Sequence, residues 1–272
     1  MKELLKLLFP QWQGSGIDKD LYYGALEIKD TFLNEQSFEY IDVSMEEELA
    51  VKNGILGYDS IILQLKKAIA IISDYGPRRI FTIGGDCGIE LAPISYLNNL
   101  YNGDLAVIWF DAHGDLNTPA LSPSNKFHGM PLRFLLGDGD KSITGMCLSR
   151  LNPNQMVLAG CRELDPPEQE YIHSKNIRVI RADKLEKLIK IVSTMGFNNI
   201  YIHLDLDVID PECFPSVMCP SEKGIMFHNL MVILELLKKE INIIGFSVVE
   251  YKKSYGAHIG KLRDIINFGC SL

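Results

Sequence analysis

Asp111, His113 and Asp115 stand at alternate positions in Trp109-Phe110-Asp111-Ala112-His113-Gly114-Asp115, and the same spacing recurs in Asp205-Leu206-Asp207, with Asp210-Pro211 just beyond. In an extended segment residues two apart point the same way. The first stretch therefore gathers two carboxylates and an imidazole, and the second gathers two more carboxylates. Unpaired carboxylates so close repel one another and are costly to bury; a divalent cation removes both penalties. One such cluster reads as a solvated loop, but two, each closing an apolar run, call for metal. Four carboxylates and one histidine hold two cations if some oxygens bridge. An oxygen-rich set with imidazole suits manganese better than calcium or structural zinc.

The elements that position these groups are legible around them. Residues 105–110 and 200–204 are almost purely apolar, the pattern of strands buried on both faces of a parallel sheet. Ligand sites in open α/β sheets lie at the carboxyl ends of such strands. A third central strand, 80–83, ends in Gly84-Gly85-Asp86-Cys87-Gly88, where paired glycines permit close backbone approach or a positive φ, and a helix follows to about residue 97. The start, residues 1–24, reads as a first strand and the loop Gln13-Gly14-Ser15-Gly16, whose spacing does not fit a phosphate-binding loop. An edge strand is expected over 37–43, and a helix capped by Asp59 over 60–73. A long polar loop, 118–127, leads to His128-Gly129-Met130-Pro131 and a helix over 132–136. Then come strand 155–159, a helix to about 174, strand 177–181, helix 183–195, strand 199–205, helix 228–239, strand 243–249 and helix 259–267. This alternation predicts a doubly wound, mostly parallel α/β sheet in a single domain over 1–272; it leaves strand order open.

Composition narrows the function classes. The 272 residues carry a formal net charge of -8 and no basic patch, which argues against nucleic acid and anionic lipid as partners. No run reaches the length of a membrane-spanning helix. The apolar start is broken by Glu3 and Lys6 and lacks a small-residue cleavage site, so a signal peptide is not expected. Six scattered cysteines without framework spacing indicate a reduced, cytoplasmic protein.

Taken together, Gly84-Gly85-Asp86-Cys87, Asp111-Ala112-His113-Gly114-Asp115, His203-Leu204-Asp205-Leu206-Asp207 and Glu250 resemble the four signature blocks of the ureohydrolase superfamily, the group of arginase, agmatinase and formimidoylglutamase. The resemblance implies a three-layer α/β/α fold and a binuclear manganese centre that hydrolyses a guanidino or amidino carbon. It makes Asp111 and Asp205 bridging ligands, lets His113 and Asp207 complete one metal's shell, and puts Asp115 on the other metal. That second shell takes a histidine from the position held here by Cys87. A thiolate can ligate there but favours zinc or iron(II); the other reading is a small buried residue beside an impaired site.

Asn117, Ser124 four residues before His128, and Arg162, Asp165-Pro166 and Glu168 resemble the arginase loops that hold the substrate's α-carboxylate and α-amino group. A second departure is Met218-Cys219-Pro220 where the family has a Gly-Thr-Pro turn, which puts Cys219 beside the guanidinium and reshapes the pocket. The implied mechanism is attack by a metal-bridging hydroxide aimed by Asp115, with Glu250 pairing with the guanidinium and His128 shuttling a proton to the leaving amine. His203 reads as packed rather than ligating, and His173, His228 and His258 as ordinary histidines. The reaction so implied is L-arginine to L-ornithine and urea in a homo-oligomer, trimer or hexamer. The alternatives are a hydrolase of a related guanidino compound, such as hydroxyarginine or agmatine, and a degenerate homologue without turnover.

Overall fold

The computed structural model describes every residue except Met1, Ile17, Asp18, Asn34, Glu35, Gln36 and Glu47, and omits the Lys2 side chain. Met1, Ile17 and Asp18, part of the segment expected to form the first strand and loop, lie outside the described residues. Ten strands are described: β1 (Lys2–Phe9), β2 (Glu39–Tyr40), β3 (Val51–Lys52), β4 (Ile55–Leu56), β5 (Pro77–Gly84), β6 (Ala106–Phe110), β7 (Met156–Ala159), β8 (Arg178–Ile180), β9 (Asn199–Asp205) and β10 (Asn242–Val249). Eight form one sheet in the order β2-β1-β5-β10-β9-β6-β7-β8, and every pairing in it is parallel. β3 and β4 make a separate antiparallel hairpin.

Parallel neighbours need crossovers, and here helices supply them on both faces. Along β6, Val107 and Trp109 join one apolar cluster while Ala106, Ile108 and Phe110 join the other. The first cluster takes in α2 (Tyr58–Tyr75), α3 (Leu91–Leu100) and α4 (Pro131–Leu135); the second takes in α1 (Asp20–Phe32). Two short helices follow in sequence, α5 (Lys141–Thr144) and α6 (Pro166–Lys175). Also in the second cluster are α7 (Leu188–Ser193), α8 (Phe227–Glu240) and α9 (Arg263–Cys270). A sheet covered on both faces explains why its strands read as unbroken apolar runs rather than alternating ones. On α2, Ile61, Leu65, Ala68 and Ile72 form the buried stripe, and each large aliphatic among them contributes about 1.5–3 kcal/mol by leaving water.

Several sequence expectations change in detail. The first residues of α1 fall in the segment 1–24, expected to be strand and loop, and no element is expected over the rest of the helix. Its buried residues, Leu21, Gly24, Ala25 and Ile28, include only two large aliphatics, and Gly24 breaks the pattern because it lies against the Tyr251 carbonyl, where a Cβ would come within 2.0 Å. The expected edge strand 37–43 pairs only at Glu39 and Tyr40. Asp59 does not cap α2: the helix starts at Tyr58 after Gly57 at φ +70, and Asp59 pairs with Lys52 at 2.7 Å in the first turn. The expected helix 183–195 is a 3-10 segment, Ala182–Lys187, broken at Lys184 and followed by the shorter α7. The hairpin and α5 have too few residues for any period to reveal them.

Candidate metal centre and pocket

The four central strands β5, β10, β9 and β6 are neighbours, and each delivers one chemical block at its carboxyl end. β5 runs into Asp86 and Cys87, β10 into Glu250, β9 ends at Asp205, and β6 runs into Asp111. Phe110 pairs with Leu204 in register, so Asp111 and Asp205 are the next residues on adjacent strands. Strand order, which the sequence left open, is thus what brings distant blocks together.

Asp111 accepts from the His113 amide at 2.6 Å and from Trp109 Nε1 at 3.1 Å. Asp207 accepts from the Ala112 amide at 3.0 Å, and His113 Nδ1 lies 2.9 Å from its second oxygen. Asp205 accepts from the Asp207 amide at 2.7 Å, and the Cys87 thiol donates to its other oxygen at 3.2 Å. Single donor atoms from Asp111, His113 and Asp207 lie within 4.8 Å of one another, as do those from Cys87, Asp111, Asp115 and His203, and those from Cys87, Asp205 and Glu250. Asp111 belongs to two of these sets, which is the arrangement a bridging carboxylate needs.

The electrostatics also call for cations. Burial raises the carboxyls of Asp115 and Asp205 well above the usual range, and neighbouring carboxylates add to it. Burial and the nearby Asp111 push Asp207 up to about 6. Burial opposes ionisation of Asp111 too, but the imidazoles of His113 and His203 outweigh it and hold that carboxyl low. The Cys87 thiol is pushed up by burial and by Asp205. Asp115 Oδ2 and Glu250 Oε2 are buried without a hydrogen-bond partner. Buried acceptors of this kind cost free energy unless something positive meets them. Orphaned oxygens, crowded carboxylates and an imidazole fit a pair of divalent ions held by Asp111, His113, Asp115, Asp205 and Asp207.

Two of these groups sit on strained backbone, Asp115 at φ +50 and Glu250 at φ +64. Such conformations cost about 1–3 kcal/mol each and cluster at functional sites. Glu250 is held there by its amide, which donates to the Gly85 carbonyl at 2.7 Å, and by the Cys87 amide, which donates to its Oε1 at 3.1 Å. Gly85 is obligatory because a Cβ would come within 1.8 Å of the Gln11 carbonyl oxygen. The loop Gln13-Gly14-Ser15-Gly16 braces this corner: the Gly14 amide donates to Asp86 at 2.8 Å, and its carbonyl accepts from the His128 amide.

A cavity of about 460 Å³ opens over the centre. Of the residues singled out in the sequence, Cys87, His113, Asp115, Asn117, Ser124, His128, Asp165, Glu168, Asp205, Asp207, Cys219 and Glu250 line it, and Asp111 lies beneath at 1% exposure. Asn117 Nδ2 donates to Asp165 at 3.0 Å, and Asn117 Oδ1 stays buried and unpartnered. Glu168 spends its carboxylate on the backbone, accepting from the amides of Leu116 and Asp165, both at 2.9 Å. Arg162 does not line the cavity; its guanidinium is bound to the carbonyls of Asp207, Ser221 and Glu222 and fastens the loop carrying Cys219. Asp210 likewise closes a turn, accepting from the Gly224 amide. His173, His228 and His258 do not line the cavity.

Sequence reasoning missed Glu90 altogether and set His203 aside. Both are fully buried beneath the centre, His203 Nδ1 lies 2.7 Å from Glu90 Oε1, and Tyr201 donates to the other Glu90 oxygen at 2.7 Å. A histidine and a glutamate inside apolar runs were the available signal, because a buried charge needs a partner.

Residues 23–261 match the model of the arginase family. The chain is 32% identical over 220 residues to the arginase of Staphylococcus aureus (strain MRSA252), a match spanning 76% of this chain and 72% of that protein. It is 30% identical over 227 residues to the arginase of Bacillus subtilis (strain 168), spanning 80% and 73%. Among solved structures, Entamoeba histolytica arginase in complex with L-ornithine superposes over 100% of both chains with a TM-score of 0.88 at 24% identity. Formimidoylglutamase from Bacillus subtilis subsp. subtilis str. 168 gives a TM-score of 0.75 at 18% identity, over 100% of this chain and 87% of that one.

Proposed function

The chain belongs to the arginase family, and from that premise we propose that it hydrolyses the guanidinium of L-arginine to L-ornithine and urea. The observation that carries this reading is the convergence on one cavity of the carboxylate–imidazole centre with Asn117, Ser124 and Asp165 at its rim. The centre supplies the reaction, and the rim supplies hydrogen-bonding groups for the amino acid end of the substrate.

Two divalent ions held by Asp111, His113, Asp115, Asp205 and Asp207 would supply hydroxide from water near neutral pH. Manganese is the ion proposed for the oxygen-rich half, where His113 is the single imidazole. Asp115 Oδ2, buried and unpartnered, accepts the nucleophile's hydrogen bond and aims it. Glu250 Oε2, equally unpartnered, pairs with the guanidinium and presents its carbon. His128, at the mouth beside Glu250, gives a proton to the leaving amine. Asn117 Oδ1 and Asp165 receive the α-ammonium, and the Ser124 hydroxyl and Asn117 Nδ2 meet the α-carboxylate. Glu168 acts by holding Asp165 and Leu116 in place. Cys219 forms a wall of the guanidinium pocket; burial pushes its thiol up to about 11, so it faces substrate as a neutral group.

Among the described residues no helix is long and apolar enough to cross a membrane. We read the protein as a cytoplasmic trimer or hexamer acting on a small guanidino substrate, with no nucleic acid or membrane partner. Urea release from a panel of arginine, hydroxyarginine, agmatine, guanidinobutyrate and formimidoylglutamate tests the assignment. Arginine is expected to give the highest kcat/KM; preference for agmatine would show that the rim does not read the amino acid end.

A further inference from the structure

We infer that His203 is a metal ligand in this chain, taking over through Nε2 the imidazole role that Cys87 leaves vacant, and that Cys87 ligates the same ion through its sulfur. The inference rests on the metal centre and not on the identity of the substrate.

Four observations converge. First, His203 lies two residues before Asp205 on β9, so both side chains emerge on the same side of the sheet. Second, its other nitrogen is held in the way metal-bound histidines are held. Nδ1 faces the fully buried Glu90 at 2.7 Å, and that carboxylate also accepts from Tyr201 and Ser247. A carboxylate on Nδ1–H fixes the tautomer, directs the Nε2 lone pair outward and raises its basicity. Third, the ring plane is fixed: the imidazole stacks on Trp109 with centroids 3.6 Å apart and planes 17° from parallel, while Trp109 Nε1 is occupied by Asp111. Fourth, Nε2 has donor atoms around it at coordination spacing. Cys87 Sγ lies 3.8 Å away, within the longer hydrogen-bond reach of sulfur, and Asp111 Oδ2 lies 3.8 Å away, too far for a hydrogen bond to oxygen. With metal–sulfur near 2.3 Å and metal–nitrogen near 2.1 Å, ligands on a tetrahedron lie about 3.5 Å apart. Cys87, Asp111, Asp115 and His203 are all at least nine-tenths buried, and their donor atoms fall within 4.8 Å of one another.

The two halves of the centre therefore differ. The half with His113 and Asp207 has carboxylates and one imidazole. The half with His203 and Cys87 has nitrogen and sulfur beside carboxylates, a softer set that favours zinc, cobalt or iron(II) over manganese.

X-ray absorption on the full chain tests this directly. His113→Ala removes the other imidazole from a partly exposed position; loaded with one equivalent of zinc, this variant is expected to show both sulfur and imidazole scattering at the metal. Sulfur without imidazole, imidazole without sulfur, or oxygen alone would each overturn the inference. In a second arm, His203→Gln keeps volume and a donor toward Glu90 but removes the imidazole. Metal per chain is expected to fall from two to one, with affinity for the second ion lower by at least about a hundredfold. Two ions at wild-type affinity, whatever the change in melting temperature, would show that His203 is structural only. Neither readout involves turnover: absence of urea release with intact sulfur and imidazole scattering would overturn the proposed function and leave the ligand set standing.

Discussion

His128 Nδ1 lies 3.3 Å from Glu250 Oε1, so the group proposed to deliver a proton and the group proposed to hold the guanidinium are hydrogen-bonded partners. Burial works against the charged imidazole, yet its bond to Glu250 holds the His128 pKa above the ordinary value. A histidine kept protonated beside the leaving group is ready to act as an acid. His128→Asn should lower kcat by about 10²–10⁴-fold while changing KM little. Steady-state kinetics on arginine checks this; an unchanged kcat would remove His128 from proton transfer.

Asp205 reaches toward both halves of the centre, through the Asp207 amide on one oxygen and the Cys87 thiol on the other. Asp205→Ala should lose both ions and reduce activity to background. Metal analysis of the purified variant is the measurement, and two retained ions with normal turnover would contradict the ligand assignment.

Asn117 and Asp165 stand at the rim and are joined to each other. Asn117→Ala should raise KM for arginine at least about tenfold, the loss of roughly 1.4 kcal/mol of hydrogen bonding, with little effect on agmatine. Equal losses on both substrates would mean that Asn117 only supports the loop.

The metal-free chain should show an inverted pH dependence of stability. Burial, with Glu250 nearby, raises Asp86 from the ordinary carboxylate range to about 7, and burial with Asp111 raises Asp207 to about 6. Between about pH 4 and pH 7 the folded chain then binds more protons than the unfolded one, so stability falls as pH rises. Divalent ions would neutralise Asp207 and the other ligand carboxylates and displace their protons. Chelator-treated protein should melt at a higher temperature near pH 5 than near pH 7.5, and added manganese should raise the melting temperature more at pH 7.5. Calorimetry at the two pH values decides it.

Gly85→Ala should be strongly destabilising, because its Cβ would meet the Gln11 backbone rather than a side chain able to move. An overpacking cost of about 1–3 kcal/mol or more corresponds to a fall of at least several degrees in melting temperature. A melting curve indistinguishable from wild type would show that the backbone there is free to shift.

Much of this molecule is written in its local sequence. The runs 105–110 and 200–204 are strands because residues apolar at nearly every position suit a sheet buried on both faces, and Asp111, His113, Asp205 and Asp207 announce themselves by alternate spacing at strand ends. These signals depend on neighbours in the chain, so they survive without a structure. Arg162 and Glu168 show where such reading stops. They sit among the rim residues in the sequence, but one is spent on carbonyls of a distant loop and the other on two amides.

Strand order was decided by tertiary structure alone, since it depends on crossovers that leave no local trace, and it sets Cys87, Glu250, Asp205 and Asp111 side by side. The same holds for His203. Within its strand it is a histidine in an apolar run, indistinguishable from a packed residue. Its meaning comes from Glu90 behind it, Trp109 beneath its ring and Cys87 in front, none of them a neighbour in sequence. A side chain's chemistry follows from what surrounds it in space, and for a buried residue the surroundings come from other strands.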